Sequence, residues 1–294
     1  MTPPSAGAQT LARRVGADAA FFDYTRAPYE PVSDPAGKWS SSFVLVAALD
    51  AAGAASLEEP IRALGDAVGR DATVWGAKRT AAGYSWELYF YDYTRSDPRF
   101  GLGPVLDALR EFGPTGAAVP VEVAARRHFM FSVDVPATAG PEDGAPAVHL
   151  YFYDVGERMT GLSYGYGPTG WVLENHYAFF EPRAEAALLR EKVTDSPHFA
   201  PHMPVALVLA PGLLDCRRVC VANKPTCDGV YFSGVRVSQF IDFLETWVGD
   251  AGLASTIRDE EGALDHMLYD VAFDYRAAPG GEVEVLKTAF YGTA

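Results

Sequence analysis

Cysteine and long apolar runs are scarce in this sequence. The 294 residues include three cysteines, and this small, odd number excludes the disulfide-dense class of secreted domains. No run approaches the roughly 18 apolar residues of a transmembrane helix. The first residues, MTPPSAGAQTLARR, lack the apolar centre of a signal peptide. We therefore predict a cytoplasmic protein.

Positive charge is scarce as well. The net charge is −14 and no basic run is longer than two residues, so phosphate backbones and anionic membranes should repel the chain. This predicts no nucleic-acid partner and no membrane partner. The sequence also lacks a GK[ST] phosphate loop and a G-x-S-x-G nucleophile motif. No pattern specifies an oligomeric state.

The three cysteines, Cys216, Cys220 and Cys227, lie close together in the sequence, downstream of His198 and His202. A structural zinc site needs four ligands in closed geometry, and these cysteines do not have a standard zinc spacing. We predict ordinary reduced thiols and no metal site.

Aromatic residues are abundant, with 15 tyrosines and 17 phenylalanines, and they concentrate in predicted strands. The stretch SWELYFYDY (85–93) is followed by VHLYFYD (148–154), HYAFFEP (176–182) and GVYFSG (229–234). Residues rich in Gly, Pro and Asp separate such strands at short intervals, which is typical of hairpins. Five hairpins are predicted: 72–79 with 84–93, 121–135 with 147–155, 159–167 with 171–180, 217–224 with 229–237, and 266–276 with 282–292.

The strands come in pairs, and helical patterns follow several of the pairs. This argues against a parallel sheet, which needs a crossover after each strand. We predict an α+β fold with one domain over 38–294, preceded by an N-terminal helix and loop appendage over 1–37. The apolar run SSFVLVAAL (41–49) fits a buried strand.

Alternation along the strands separates two faces. In SWELYFYDY, Trp86 points one way with Leu88, while Glu87, Tyr89 and Tyr91 point the other. An apolar face and a tyrosine-rich face, repeated through five hairpins, favour an antiparallel barrel of about ten strands, with helices outside and a tyrosine-lined lumen. Two other interpretations stay open: tyrosines are common on the wetter face of an ordinary sheet, and a flat tyrosine face could dock in an oligomer.

Three segments resemble the aromatic prenyltransferases of the ABBA type. ATVWGAKRTAAGYSWELYFYDYTRSDPRFG, GWVLENHYAFFEP and RRVCVANKPTCDGVYFSG are similar to hairpins of that family, and the resemblance covers roughly residues 70–292. It implies a ten-stranded barrel enclosing the active site. There an aromatic acceptor attacks the cation of a dimethylallyl or geranyl diphosphate. No cofactor is required; Mg²⁺ is compatible with this chemistry, but no motif indicates it.

The resemblance also implies roles for particular residues. Glu87 would accept the proton lost from the acceptor. The diphosphate ligands would be Lys78, Arg127, Lys224 and Lys287. The cation shield and acceptor pocket would consist of Tyr89, Tyr91, Tyr151, Tyr164, Asn175, Tyr177, Tyr231 and Tyr291.

The sequence departs from the family just upstream of the Tyr-Ala-Phe-Phe strand. Family members carry a lysine there, whereas this chain has Glu174, Asn175 and His176, which removes a cation and adds an anion. The primary hypothesis is a prenyltransferase acting on an aromatic or peptide-borne acceptor. The alternative is a non-catalytic protein that holds an aromatic or hydrophobic small molecule in the same cavity.

Overall fold

The structure, a computed structural model, describes residues 11–69, 73–91, 101–110, 128–135, 148–155, 159–167 and 170–293. Each strand pairs antiparallel with its neighbours in sequence, and the first pairs with the last, so the sheet closes into a barrel. The ten strands are β1 Thr73–Thr80, β2 Gly83–Tyr91, β3 Met130–Val135, β4 Val148–Val155, β5 Met159–Gly167, β6 Gly170–Phe180, β7 Arg218–Asn223, β8 Asp228–Val235, β9 Tyr269–Ala277 and β10 Val283–Thr293. The predicted ten-stranded barrel is confirmed.

The helices lie outside the barrel, before the first hairpin and between later ones. They are α1 Ser42–Ala51, α2 Glu58–Val68, α3 Leu102–Arg110, α4 Ala186–Thr194, α5 Val205–Leu209, α6 Val237–Phe243, α7 Ala251–Asp259 and α8 Glu261–Leu264. A π-helical turn, Leu244–Val248, continues α6. None of the described helices has the length and apolar character needed to cross a membrane.

The main hydrophobic core lies between the outer face of the barrel and the helices. Trp86, Leu88 and Phe90 of β2 are buried there, as alternation predicts. Aromatic stacking joins the two layers: Trp247 lies 4.4 Å from Phe273, measured between ring centroids. Because the core occupies the outer face, the inner face of each strand is left to line the lumen.

The prediction of a strand over 41–49 is wrong, because this segment forms α1. Its Val44, Leu45, Ala48 and Leu49 are buried at helical spacing, and α1 packs against β1 and β10. An apolar run of this length does not by itself distinguish a strand from a buried helix. The closed barrel excludes a strand at 41–49, because each of its ten strands already has two partners.

The predicted N-terminal helix is also wrong where the structure describes it. Residues 11–20 form turns and extended backbone, and residues 1–10 lie outside the described part of the chain. The appendage is held to the rest of the protein by Ser33, which donates to Asp265 (2.6 Å). Just after the appendage, the indole of Trp39 donates to Glu260 (2.9 Å). Tyr24 and Thr25 of the appendage lie at one end of the barrel and line its lumen.

Candidate active site

The barrel encloses a cavity of about 390 Å³, within the range of ordinary ligand pockets. The structure brings together most of the residues that the sequence predicted for the site. The predicted residues that line the cavity are Lys78, Glu87, Tyr89, Tyr91, Tyr151, Asn175, Tyr177, Lys224, Tyr231, Lys287 and Tyr291.

Two predicted residues are not part of this lining. Tyr164 of β5 lies opposite Leu150 of β4, and Leu150 is buried in the outer core. Since directly paired residues share a face of the sheet, Tyr164 faces outward, and its neighbour Ser163 takes the inward position opposite Tyr151. The placement of Tyr164 in the cavity was therefore wrong. Arg127 lies outside the described residues.

Five tyrosines form a closed belt around the lumen, with neighbouring ring centroids 5.9–6.4 Å apart. The members of this tyrosine belt are Tyr89, Tyr151, Tyr177, Tyr231 and Tyr291. Gly76 makes part of it possible, because a Cβ there would lie 2.9 Å from the ring of Tyr291 and 3.1 Å from that of Tyr89. Burial raises the pKa of all five phenols, so they stay neutral and present ring faces and hydroxyl groups.

Charged residues gather at the end of the barrel where the turns within the hairpins lie, such as 81–82 and 278–282; we call this the hairpin end. The first group, the Glu87 cluster, contains Lys78, Glu87, Asp134, His149 and Glu174. Lys78 pairs with Glu87 and lies 3.4 Å from Asp134. His149 contacts Glu174 through Nδ1 (2.7 Å) and Asp134 through Nε2 (3.4 Å).

Glu87 is the most enclosed member of this cluster. Its Oε1 accepts hydrogen bonds from Ser132 and from Tyr151 (3.2 Å), and its Oε2 accepts from Tyr89 (2.6 Å) and pairs with Lys78. Burial alone would raise the pKa of Glu87, but Lys78 and the charge on His149 outweigh it and lower the pKa far below its ordinary value. A carboxylate held in this way is a weak base.

His149 and Lys78 are both charged at neutral pH. Burial alone would lower the pKa of His149, but its hydrogen bonds to Asp134 and Glu174 outweigh burial and raise the pKa to about 10. Burial would likewise lower the pKa of Lys78, and the Glu87 and Asp134 carboxylates raise it instead. With two positive groups and three carboxylates, the cluster has a net charge of −1.

The second group, the Asp274 cluster, contains Lys224, Asp274 and Lys287. Both ammonium groups contact Asp274 Oδ2, Lys224 at 2.7 Å and Lys287 at 2.8 Å. Asp274 Oδ1 is buried and has no hydrogen-bond partner among the described residues. Burial would raise the pKa of Asp274, but the two lysines lower it. Burial and the charge of Lys287 lower the pKa of Lys224, although Asp274 opposes them. The cluster therefore has a net charge of +1 only while Lys224 remains protonated.

Three ligating atoms of the Glu87 cluster come close enough to surround a metal ion. Those of Glu87, Asp134 and His149 lie within 4.8 Å of one another, although their sequence spacing gave no such indication. Lys78 contacts both carboxylates, and the raised pKa of His149 keeps its ring protonated. The group as it stands is already compensated by positive charge and fits a divalent ion poorly.

Sequence reasoning missed Tyr24, Asp134, Glu174 and Asp274, and it did not assign His149 to the site although it belongs to the tyrosine face of β4. Glu174 reaches the cavity because of an irregularity in pairing: Ser163 and Tyr164 of β5 pair with Asn175 and Leu173, which leaves Glu174 as an extra residue on β6. Such a β-bulge redirects side chains. Gly165 leaves room for the Glu174 carboxylate, because a Cβ there would collide with it.

No protein-family model matches this sequence, and no curated protein matches it. Among solved structures, the chain is similar to 5-dimethylallyl tryptophan synthase from Streptomyces coelicolor in complex with DMASPP and Trp, with a TM-score of 0.49 and 11% identity over 85% of this chain and 92% of that chain. It is also similar to AnaPT from Neosartorya fischeri, with a TM-score of 0.41 and 14% identity over 76% of this chain and 78% of that chain. Similarity at this level assigns no reaction to the chain.

The class of fold follows from the barrel itself. Ten antiparallel strands in sequence order, closed by pairing of the first with the last and surrounded by helices, constitute the ABBA-type prenyltransferase fold. The fold implied by the three hairpin segments is thus confirmed.

Proposed function

We propose that this chain is an aromatic prenyltransferase, which transfers a dimethylallyl or geranyl group from an allylic diphosphate to an aromatic or peptide-borne acceptor inside the barrel. One observation carries the proposal: a belt of five tyrosines, two buried and three half-buried, surrounds a cavity that has two lysines on a single carboxylate at one end. Ring faces stabilise a carbocation by about 0.5–2 kcal/mol each. The closed wall limits the access of water, which would otherwise capture the cation.

In the proposed reaction, the allylic C–O bond breaks and its electron pair leaves with the diphosphate. An electron pair of the aromatic acceptor then forms the new bond to the allylic carbon, and the acceptor loses a proton to restore its aromaticity. Lys224 and Lys287 would hold the diphosphate, each charge-assisted bond contributing about 1.5–3 kcal/mol. Lys78 and Arg127 are proposed as further ligands.

Glu87 is proposed to act chiefly through its charge. The four donors on its two oxygens and its lowered pKa make it a poor proton acceptor, while its negative charge lies beside Tyr89 and Tyr151 of the tyrosine belt. There it would stabilise positive charge on the allylic group. The departing diphosphate would be the better proton acceptor.

The proposal is tested by calorimetric titration with dimethylallyl and geranyl thiodiphosphates, with and without Mg²⁺. We expect the wild type to bind in the micromolar range and Lys287→Ala to bind at least about tenfold more weakly. Arg276→Ala is the matched control, because this cation lies on β9 but pairs with Glu284 at the exposed surface. Its affinity should equal that of the wild type.

A second function is favoured by one observation: each described lysine of the cavity, Lys78, Lys224 or Lys287, already contacts a carboxylate. A protein that only binds an aromatic or hydrophobic small molecule needs no free cation. If the wild type binds indole or an alkylphenol but neither thiodiphosphate, this binding function replaces the transferase. If both thiodiphosphates bind, a screen of aromatic amino acids and short peptides for diphosphate release identifies the acceptor class.

A further inference from the structure

A tight turn from the N-terminal segment enters the barrel at the end opposite the hairpin end. Phe22 pairs with Pro28, and between them the Arg26 N–H donates to the Asp23 carbonyl (2.8 Å). The Asp23 carboxylate closes the turn by accepting from the N–H groups of Thr25 and Ala27, both at 3.0 Å. Tyr24 therefore lies at the tip of a locally stabilised turn.

The barrel holds the backbone of Tyr24 on both sides. The Tyr24 N–H donates to Asp270 Oδ2 on β9 (2.7 Å), and the Tyr91 hydroxyl on β2 donates to the Tyr24 carbonyl. Asp270 is itself fixed, because its Oδ1 accepts from the N–H of Gly234 (3.0 Å). The tip of the turn is thus attached to strands on different sides of the lumen.

The side chain of Tyr24 covers the tyrosine belt from this end. Its ring stacks on Tyr291, with centroids 5.4 Å apart and planes at 27°, and on Tyr231, with centroids 6.1 Å apart and planes at 13°. A ring that is stacked on one buried and one half-buried neighbour and anchored through its own backbone forms a rigid surface.

A second cavity, of about 410 Å³, lies on the other side of this turn. Phe21 and Phe22 line the second cavity, whereas Tyr24 and Thr25 line the first. Tyr291 lines both. Residues 21–25 together with Tyr291 therefore form a wall between two cavities of similar size.

We propose that Tyr24 is the end wall of the ligand cavity and sets the longest apolar chain that the cavity accepts. A ligand whose head group lies at the Asp274 cluster extends its apolar chain through the tyrosine belt towards this wall. Loss of the Tyr24 ring connects the cavity with the space lined by Phe21 and Phe22, so a longer isoprenoid gains room that the wild type denies it. The inference rests on the proposed function for the isoprenoid, but the wall would limit any apolar chain.

The experiment compares two series of ligands by calorimetry. One series is dimethylallyl, geranyl and farnesyl thiodiphosphate; the other is a set of 4-alkylphenols of increasing chain length, which need no diphosphate site. The proteins are the wild type, Tyr24→Ala, Tyr24→Leu and the control Tyr24→Phe, which keeps the ring. We expect Tyr24→Ala to raise the affinity for the longest chain relative to the shortest by about tenfold, Tyr24→Leu to show a smaller shift, and Tyr24→Phe to keep the wild-type order.

Each result bears on one proposal or the other. A shift in the alkylphenol series without thiodiphosphate binding supports the wall and contradicts the transferase. Thiodiphosphate binding with the same chain preference in all four proteins contradicts the wall and leaves the transferase standing. If Tyr24→Ala unfolds at too low a temperature for titration, Tyr24→Leu is used in its place. An unchanged order of ligand affinities with chain length in that variant contradicts the proposal that Tyr24 is the end wall. Failure of the wild type to bind either series contradicts both.

Discussion

The two charged clusters at the hairpin end use the same kinds of side chain but pair them differently. In the Glu87 cluster, three carboxylates surround one lysine and one imidazolium, and every oxygen of Glu87 has a donor. In the Asp274 cluster, two lysines share one carboxylate oxygen, and the other oxygen has no partner among the described residues. The first cluster has a fully hydrogen-bonded buried carboxylate and a net negative charge. The second has an unpaired carboxylate oxygen and a net positive charge while Lys224 is protonated.

This difference makes the charge distribution along the cavity wall asymmetric. An anion is attracted to Lys224 and Lys287 and repelled by the carboxylates of the Glu87 cluster, so a ligand with a charged head and an apolar body should enter in one orientation. A cation that forms inside the tyrosine belt would have Glu87 beside it. The comparison also separates two roles, since the Glu87 cluster should matter most for stability and the Asp274 cluster for ligand affinity.

The largest expected effect comes from neutralising the buried carboxylate. Glu87→Gln keeps the shape of the side chain but leaves the charge of Lys78, whose side chain is 16% exposed, without its nearest partner. Breaking a buried pair in this way costs about 3–5 kcal/mol, which urea unfolding would measure. Glu284→Gln is the control, because its pair with Arg276 is exposed and should be worth less than about 1 kcal/mol. Equal losses in the two variants would show that the Glu87 cluster does not stabilise the fold.

The next effect depends on pH. The folded protein raises the pKa of His149 to about 10, so the folded state binds this proton more tightly than the unfolded state, where the pKa is about 6.5. The stabilisation is therefore complete below about pH 6.5 and disappears as the pH rises towards 10. Because each pKa unit corresponds to about 1.4 kcal/mol, we expect His149→Gln to lose up to about 5 kcal/mol near pH 6 relative to the wild type, and the two unfolding free energies to converge near pH 10.

His176→Gln is the matched control for this measurement, because His176 also lies on a strand but is exposed. Burial and the charge of Lys192 lower the pKa of His176, the opposite direction to His149, so replacing His176 should cause no loss of unfolding free energy at low pH. A constant difference between His149→Gln and the wild type at every pH would mean that His149 contributes by packing and not by its charge.

The hairpins and the inward tyrosines could be predicted because their determinants are local. Alternation assigned Glu87, Tyr89 and Tyr91 to the lumen, and short polar turns marked the strand pairs. The residues missed depend on non-local geometry. Glu174 enters the cavity through a bulge that breaks alternation, and Tyr24 arrives on a turn far from the strands in sequence, fixed by Asp270.

Two errors have the same physical origin. The segment 41–49 has the composition of a strand, but the barrel has no open edge to receive it, so it packs as a helix on the outside. Tyr164 is of the residue type that lines the lumen elsewhere, but its pairing with Leu150 assigns it to the outer face. In both cases the pairing of distant strands overrides the local preference.

The smallest effect tests the Asp274 cluster directly, with inorganic pyrophosphate as the probe. Asp274→Asn removes the one carboxylate that Lys224 and Lys287 share and keeps the shape of the side chain, so the cluster becomes more positive as long as both lysines stay protonated. Because burial and the charge of Lys287 already lower the pKa of Lys224, the titration is run at about pH 6. We expect calorimetry to show about tenfold tighter binding, equivalent to about 1.4 kcal/mol. Asp134→Asn is the matched change in the Glu87 cluster, and there Lys78 keeps its contact with Glu87, so the gain should be about twofold or less. An equal gain in the two variants would remove the distinction between the clusters, because pyrophosphate would then respond only to the total charge of the cavity and not to where that charge lies.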